Sequence, residues 1–310
     1  MKPKLMVTLS ENWETFPARD LPLLVEAAKQ AEEAGVDYIA MSEHIVLGGS
    51  AGGLARKLNE REFDQSGNQD PDTPWPSTLI LLAAFAAVTT RTKLVAGAVI
   101  PPLRHPLLLA KELATLDLLS RGRLVVFPTV SWHEDEYRAL GVDFHKRGKM
   151  LDEHLEVWRK VWGEGACGHA GDFYAFEDVH SQPKPWRAGG PEIWVTGDRL
   201  HKAAIRRLVE YGSGIATLMP PSAEERGEVD AAMRQAGRDA SGLEILCALS
   251  GRFTDSTGVA DIDEALAPVK DQAAAGVTTW FLKPSQFVAD PGEFAGLCRY
   301  VVERLRALTA

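Results

Sequence analysis

Residues 93–127 read KLVAGAVIPPLRHPLLLAKELATLDLLSRGRLVVF, and this stretch holds two short apolar runs on either side of a longer amphipathic segment. The runs Lys93–Ile100 and Leu124–Phe127 predict buried strands, because each run is short and mainly apolar. Between them, Pro106–Leu119 predicts a helix, since proline is favoured in a first helical turn and leucines follow at i, i+4 and i+7. A strand, a helix and a second strand in this order predict a parallel pair with a right-handed crossover.

The same alternation continues in both directions along the chain. The other predicted strands are Leu5–Leu9, Val36–Met41, Glu192–Val195, Gly214–Leu218, Glu244–Leu249 and Val277–Leu282. The other predicted helices are Leu21–Ala34, Ser77–Val88, Arg147–Trp162, Leu200–Glu210, Ala223–Ala236, Ile262–Ala275 and Gly292–Leu308. Eight strand–helix pairs predict that residues 1–310 form one α/β domain, a (β/α)₈ barrel or TIM barrel. An open doubly wound sheet is the alternative, and the lack of a GxGxxG motif after the first strand counts against it.

Two long polar segments interrupt this alternation. Ile45–Pro76 follows the second strand, and Gly163–Gly190 follows the fourth barrel helix. Long irregular segments in a compact domain are usually functional loops, and the loop after a barrel strand lies on the face that carries the active site. We therefore predict that Ile45–Pro76 forms one wall of an active site.

The charge and the cysteines limit the classes of partner. Lys and Arg number 34 and Asp and Glu 43, a net charge of −9 without a basic cluster, so neither a nucleic acid nor a membrane is an expected partner. The cysteines form no CxxC motif and the histidines no HxxxH or HxH pair, so no metal site is predicted. The longest apolar run, near Leu79–Val88, is about half of the ~20 residues that a membrane helix needs. A cytoplasmic protein that binds a small-molecule substrate is expected.

Three polar residues, Ser42, Glu43 and His44, directly follow the second predicted strand. The carboxyl ends of the strands carry the chemistry in this class of barrel, and a histidine there can accept or donate a proton near neutral pH. A loop histidine held by a neighbouring carboxylate is the alternative. His44 is therefore the first candidate for a catalytic residue.

The ends of the third and fourth strands carry further candidates. Gly97, near the end of the third strand, predicts a bulge or a close approach of a ligand to the backbone. After the fourth strand come Thr129, Ser131, Trp132 and His133. Hydroxyl groups beside a large aromatic ring suit a flat ligand with polar edges, and ordinary core packing of the tryptophan is the alternative.

Two candidates for anion binding come from the fifth strand and from the start of the third barrel helix. Thr196, Gly197 and Asp198 follow the fifth strand, where backbone N–H groups can face an anion. The alternative is a plain turn in which Asp198 is the helix N-cap. Arg104 and His105 precede the third helix and suit either an anion or pairing with nearby carboxylates.

Three segments together resemble the luciferase-like monooxygenases, namely Pro101–Leu124, Gly141–Gly148 and Pro191–Gly197. The resemblance extends from about residue 21 to residue 214. Glu43-His44-Ile45-Val46 is similar in particular to the subgroup that uses the deazaflavin coenzyme F420 (8-hydroxy-5-deazaflavin), in which an acidic residue and a histidine commonly precede valine or isoleucine.

The resemblance implies a barrel whose mouth holds a tricyclic ring. His44 would approach the ring near its reactive centre, and Glu43 would set the tautomer of His44. A cis peptide, placed at Gly97–Ala98, would lie against the back of the ring. The implied contacts to the ribityl and phosphate groups come from Thr129, Ser131, Trp132, Thr196, Gly197 and Asp198. The implied substrate pocket includes Trp75, Trp132 and His133.

Three functions follow as hypotheses. The first is hydride transfer between coenzyme F420 and a small organic substrate, either an alcohol or carbonyl compound or an enone. The alternative is a monooxygenase that uses reduced FMN and oxygen, and a non-catalytic flavin-binding barrel is the third. Arg56, Lys57 and Arg61 would meet the acidic tail of F420 or form a solvated surface. Because members of the family are often dimers, a homodimer is expected.

Overall fold

The computed structural model describes residues 2–53, 56–197 and 199–309. Its strands are β1 (Lys4–Thr8), β2 (Tyr38–Met41), β3 (Lys93–Val99), β4 (Leu124–Pro128), β5 (Cys167–Ala170), β6 (Ala175–Val179), β7 (Glu192–Thr196), β8 (Gly214–Ala216), β9 (Glu244–Leu249) and β10 (Thr279–Leu282). Its α-helices are α1 (Leu21–Glu33), α2 (Thr78–Val88), α3 (Pro106–Leu119), α4 (Glu134–Ala139), α5 (Arg147–Val161), α6 (Lys202–Tyr211), α7 (Ala223–Gln235), α8 (Ile262–Leu266), α9 (Val269–Ala274) and α10 (Phe294–Leu308). No helix in these ranges is both long enough and apolar enough to cross a bilayer.

Eight of the strands form a closed barrel of parallel neighbours. The order around the barrel is β1-β2-β3-β4-β7-β8-β9-β10, and β10 pairs again with β1. This closure confirms the predicted (β/α)₈ barrel and is incompatible with an open doubly wound sheet. The predicted insertion between the fourth and fifth barrel strands contains the antiparallel hairpin β5–β6, which pairs outside the barrel.

Three elements differ from the prediction. The helix predicted for Ile262–Ala275 is divided into α8 and α9 around Pro268, because proline lacks the N–H and clashes with the preceding turn. The hairpin β5–β6 was expected only as an irregular insertion, and most of its side chains are exposed or half-buried, so no regular apolar alternation marks it. The short helix α4 was not predicted, since six residues with three acidic side chains show no apolar stripe.

Large aromatic side chains fill the barrel interior beneath its carboxyl end. The rings of Phe127 and Trp194 stack with centroids 5.2 Å apart, and Tyr38 packs edge-on against Trp194 at 5.4 Å. Glycine is needed beside them: a Cβ on Gly214 would lie 2.6 Å from Trp194, and one on Gly97 would lie 2.8 Å from Phe127. The interior is therefore solid, and its upper surface forms the floor of a cleft.

Candidate active site

A cleft of about 570 Å³ opens at the carboxyl ends of the barrel strands. This volume lies within the range of ~300–1,000 Å³ that is usual for small-molecule sites. The predicted site residues that line the cleft are Glu43, His44, Trp75, Gly97, Ala98, Thr129, Ser131, Trp132, Thr196 and Gly197. Asp198 lies outside the described residues, so its predicted contact with a phosphate stays a prediction.

The floor of the cleft suits an aromatic ring system. It includes Phe127, Leu246 and Phe281, together with the peptide between Gly97 and Ala98. That peptide is cis, at the position where the family resemblance implies one. Because hydroxyl groups of Thr129, Ser131 and Thr196 also line the cleft, the donor set fits a ligand with an apolar ring and polar side groups.

His44 lies at one side of the cleft with a defined proton arrangement. Its Nδ1 is 3.2 Å from Oε2 of Glu136, and this carboxylate is fully buried. Since an ionised carboxylate only accepts hydrogen bonds, we assign the proton to Nδ1, which leaves the lone pair of Nε2 available. The imidazole also packs against Trp75 at 4.9 Å and Trp132 at 5.9 Å between ring centroids. His44 is thus positioned to accept a proton within a mostly aromatic surround.

Glu136 is a site residue that the sequence did not reveal. Besides contacting His44, its carboxylate accepts a hydrogen bond from the backbone N–H of Ile45 and lies 3.5 Å from the Ser131 hydroxyl. The only local signal is an acidic residue in the first turn of α4, where it sits beside two other acidic residues. Its importance comes from the fold, which brings α4 beside the end of β2.

Glu43 does not hold His44, so the prediction that it sets the tautomer of His44 is wrong. Its carboxylate accepts two hydrogen bonds from Arg104, each 2.7 Å long, and one from the backbone N–H of Ile100 at 2.8 Å. Glu43 also raises the pKa of Arg104, against the opposing effect of burial. The alternative in which Arg104 pairs with a carboxylate is therefore the correct one, and the pair joins the ends of β2 and β3.

Replacement of Glu43 by alanine is expected to lower the free energy of unfolding by roughly 2 kcal/mol, because the half-buried guanidinium of Arg104 and the buried Ile100 N–H lose their acceptor. Urea unfolding monitored by circular dichroism measures the loss. Glu60→Ala is the matched control, since Glu60 is exposed and pairs only loosely with Lys57 at 3.8 Å, and its expected cost is below about 1 kcal/mol. Equal costs for the two variants would contradict the assignment.

His133 does not line the cleft, contrary to its predicted place in the substrate pocket. It is 1% exposed, and its Nε2 accepts a hydrogen bond from the backbone N–H of Gly48 at 2.7 Å. Two residues later, Asp135 accepts hydrogen bonds from the backbone N–H and the hydroxyl of Ser50. Both residues therefore hold the long loop after β2 against the start of α4.

Two of the three basic residues of the long loop, Lys57 and Arg61, are engaged inside the protein, whereas Arg56 is exposed. Lys57 pairs with Asp64, and both side chains are nearly buried. Arg61 is 9% exposed and donates to the backbone oxygens of Ser285 at 2.7 Å and Val288 at 3.2 Å. Lys57 and Arg61 therefore do not form a solvated surface, and their charges are already paired inside the protein, whereas the exposure of Arg56 agrees with the solvated-surface alternative.

A second titratable group of the cleft, Glu11, was not predicted. It follows β1 and has a positive φ of 61°, a conformation uncommon outside glycine. Its Oε1 accepts a hydrogen bond from the Ser42 hydroxyl at 2.7 Å. Burial, and then the nearby charge of Asp64, raise the pKa of Glu11 to about 7, although Lys283 and the Ser42 hydroxyl act in the opposite direction.

This raised pKa makes Glu11 a destabilising group at alkaline pH. The folded protein holds the Glu11 proton up to about pH 7, whereas the unfolded chain releases it near pH 4.5, so the stabilisation present below pH 4.5 is lost as the pH rises through 7. We expect Glu11→Gln to be more stable than the wild type by about 1–3 kcal/mol near pH 8, with a gap that closes towards about pH 5. Urea unfolding of the wild type and Glu11→Gln across this pH range measures the difference in their free energies of unfolding, and Glu14→Gln, at an exposed position, is the control. A difference that does not change with pH would contradict the raised pKa of Glu11.

Comparisons with known proteins agree with this geometry. The family model described as luciferase-like monooxygenase matches residues 5–284. Pyrimidine monooxygenase RutA of Allorhizobium ampelinum is 27% identical over 201 residues, which are 60% of this chain and 53% of that protein. The FMNH(2)-dependent dimethylsulfone monooxygenase of Pseudomonas putida is 33% identical over 117 residues, which are 37% of this chain and 32% of that protein. The matched regions thus span about half or less of these relatives.

Two solved structures have a similar fold. Monooxygenase RslO1 from Streptomyces bottropensis superposes with a TM-score of 0.70 at 23% identity, over 99% of this chain and 100% of that one. The coenzyme F420-dependent tetrahydromethanopterin reductase from Methanopyrus kandleri also gives a TM-score of 0.70, at 13% identity, over 98% of each chain. Since proteins named for different reactions share this fold to the same degree, the fold alone does not select the cofactor.

Proposed function

The chain belongs to the family of luciferase-like monooxygenases, and from this premise we propose that it is a monooxygenase that uses reduced FMN and molecular oxygen. The observation that carries the proposal is His44, which lines a cleft with an apolar floor and hydroxyl groups in its walls, and whose Nε2 has no hydrogen-bond partner among the residues that the structure describes. Relatives named as monooxygenases, one of them FMNH(2)-dependent, support the same assignment.

Bound reduced flavin would supply the electrons that activate oxygen, and the protein supplies position and proton handling. Phe127 and the Gly97–Ala98 peptide would support one face of the ring, and the hydroxyls of Thr129, Ser131 and Thr196 would hold its polar side groups. The Nε2 of His44 would accept a proton from the substrate, and the Glu136 carboxylate would stabilise the resulting imidazolium. Trp75 and Trp132 would flank the imidazole during this proton transfer.

Hydride transfer with coenzyme F420, the first hypothesis from the sequence, has less support. The named relatives reported above are monooxygenases. In addition, Lys57 and Arg61, two of the three basic residues that were expected to meet the acidic tail of F420, are paired inside the protein, and Arg56 alone of the three is exposed. We therefore keep F420 as the competing ligand in the experiment below.

Fluorescence-quenching titration of the purified protein with FMN, and separately with oxidised F420, tests the cofactor. We expect saturable FMN binding and weaker F420 binding. Thr196→Val should weaken FMN binding roughly tenfold through loss of one hydrogen bond, whereas Thr115→Val, at an exposed position on α3, should leave it unchanged. Tighter binding of F420 than of FMN would overturn the proposal in favour of hydride transfer.

We propose further that a second copy of the chain covers the outer face of α2. Ile80 is 72% exposed, and Ala87 and Val88 on the same helix are also exposed, so the helix presents an apolar surface to solvent. We expect analytical ultracentrifugation to give a dimer, and Ile80→Glu to give a monomer. Leu58→Glu, at an exposed position in the long loop, is the control; a monomeric wild type would overturn the proposal.

A further inference from the structure

Glu11 differs from the other two carboxyl groups of the cleft, because it forms no ion pair with the residues that the structure describes. Glu43 and Asp64 also line the cleft, and each is paired with a basic side chain. Glu11 is half-buried, and its Oε1 accepts a hydrogen bond from the Ser42 hydroxyl at 2.7 Å. Its Oε2 accepts no hydrogen bond from the described N–H and O–H groups and keeps some exposed surface. A ligand in the cleft can therefore reach this oxygen.

The surroundings of Glu11 favour the protonated form of its carboxyl group. Burial, and then the nearby charge of Asp64, raise the pKa of Glu11 to about 7. Two carboxyl groups in one place do not readily both ionise, and Asp64 keeps its charge because Lys57 pairs with it. Below about pH 7, Glu11 is therefore mainly a neutral acid.

A neutral Glu11 gives the wall of the cleft a hydrogen-bond donor. A protonated carboxyl group has one O–H donor, whereas a carboxylate can only accept. Because Oε1 accepts from Ser42, we assign the proton to Oε2, the oxygen that a ligand can reach. An oxygen atom of a ligand can replace Asp64 as the acceptor of this O–H, since Asp64 keeps its ion pair with Lys57.

The charges around Glu11 favour a ligand oxygen that carries partial negative charge. Lys283, directly after β10, is 1% exposed and lies close enough to affect the charge of Glu11. Its Nζ donates to the backbone oxygen of Glu62 at 2.7 Å. When Glu11 is protonated, Lys57, Lys283 and the carboxylate of Asp64 together carry one positive charge, which attracts a carbonyl oxygen and repels a cation.

We infer that Glu11, as a neutral acid, donates a hydrogen bond to a carbonyl oxygen of the substrate and thereby selects compounds that carry a carbonyl group. Ketones, esters and amides have this acceptor, whereas hydrocarbons and alkylamines do not. Because the donor is lost when Glu11 ionises, binding of the carbonyl group should weaken as the pH rises through about 7. The inference rests on the proposed function only in placing the substrate in this cleft, where His44 remains the proton acceptor.

The test compares cyclohexanone with methylenecyclohexane, which has a similar shape but no oxygen acceptor. Titration NMR on the purified protein, with and without FMN, gives both dissociation constants at about pH 6 and about pH 8.5. In the wild type, we expect the affinity for the ketone relative to the alkene to fall roughly fivefold between these pH values, because one hydrogen bond is lost. Glu14→Gln, at an exposed position, should behave as the wild type.

Two variants of Glu11 separate hydrogen-bond donation from packing. Glu11→Gln keeps a donor in its NH₂ group at every pH, so its relative affinity for the ketone should stay at the acidic wild-type value. Glu11→Leu has no donor, so it should show the alkaline wild-type value at both pH values. A pH-dependent preference that survives in Glu11→Leu would assign the effect to another titratable group of the cleft, such as His44, and would overturn the inference.

A relative affinity that does not change with pH in the wild type would also overturn the inference, as would the absence of saturable ketone binding. FMN titrations of the same samples separate the two proposals. Normal FMN binding without the pH-dependent preference would remove only the role of Glu11. The preference without FMN binding would remove only the monooxygenase assignment.

Discussion

Exchange of His44 for glutamine is expected to lower kcat by roughly 10²- to 10⁴-fold, the usual contribution of a positioned acid or base. Glutamine retains a polar side chain of similar reach but has no group that accepts and releases a proton near neutral pH. Turnover is measured as oxygen consumption with reduced FMN and a substrate identified by product screening. FMN affinity should change little, because the loss lies in proton transfer and not in ring binding.

His145→Gln makes the same chemical change at an exposed histidine outside the cleft, and its kcat should equal that of the wild type. The pH profile gives a second readout. If His44 is the proton acceptor, the acidic limb of the kcat profile should disappear in His44→Gln. A variant that keeps wild-type kcat and the same acidic limb would show that another group, such as Glu11, accepts the proton.

The barrel itself was predictable because each unit carries its own local signals. Pro106–Leu119 and Glu244–Leu249 have the bounds expected from the sequence, since a proline start, regular leucines and a short apolar run act within a few residues. Once β2 is identified, the positions of Ser42, Glu43 and His44 at the mouth of the barrel also follow from the sequence, because these residues come directly after that strand. Prediction from local signals fails for α4, because this six-residue helix has no apolar stripe and is stabilised by its contacts near the end of β2.

The partners of the site residues were less predictable than their positions. Glu43 is the immediate neighbour of His44 in the chain, yet the carboxylate that contacts His44 comes from Glu136, 92 residues away. Likewise, the charges of Lys57 and Arg61 suggested a surface, whereas the structure buries them against Asp64 and backbone oxygens. Sequence spacing identifies which strand end a residue follows, but pairing depends on where the long loop and α4 meet.

Exchange of Glu136 for glutamine should lower kcat by about 10²-fold or more through the tautomer of His44. In the wild type, one carboxylate oxygen of Glu136 accepts from the Ile45 N–H and the other faces Nδ1 of His44. In the variant, the amide oxygen must stay at the Ile45 N–H, so the NH₂ group faces Nδ1. Nδ1 then becomes the acceptor, the proton moves to Nε2, and the ring can no longer accept a proton from the substrate.

Nitrogen-15 NMR of the His44 ring reports this change directly, because the two tautomers give different chemical shifts. We expect the proton on Nδ1 in the wild type and on Nε2 in Glu136→Gln, with FMN binding retained in both proteins. Glu134→Gln, two residues earlier and exposed, should change neither the tautomer nor kcat. If the variant lost activity with the tautomer unchanged, Glu136 would act only by holding Ile45 and α4 in place; a shifted tautomer with wild-type activity would mean that Nε2 is not the proton acceptor.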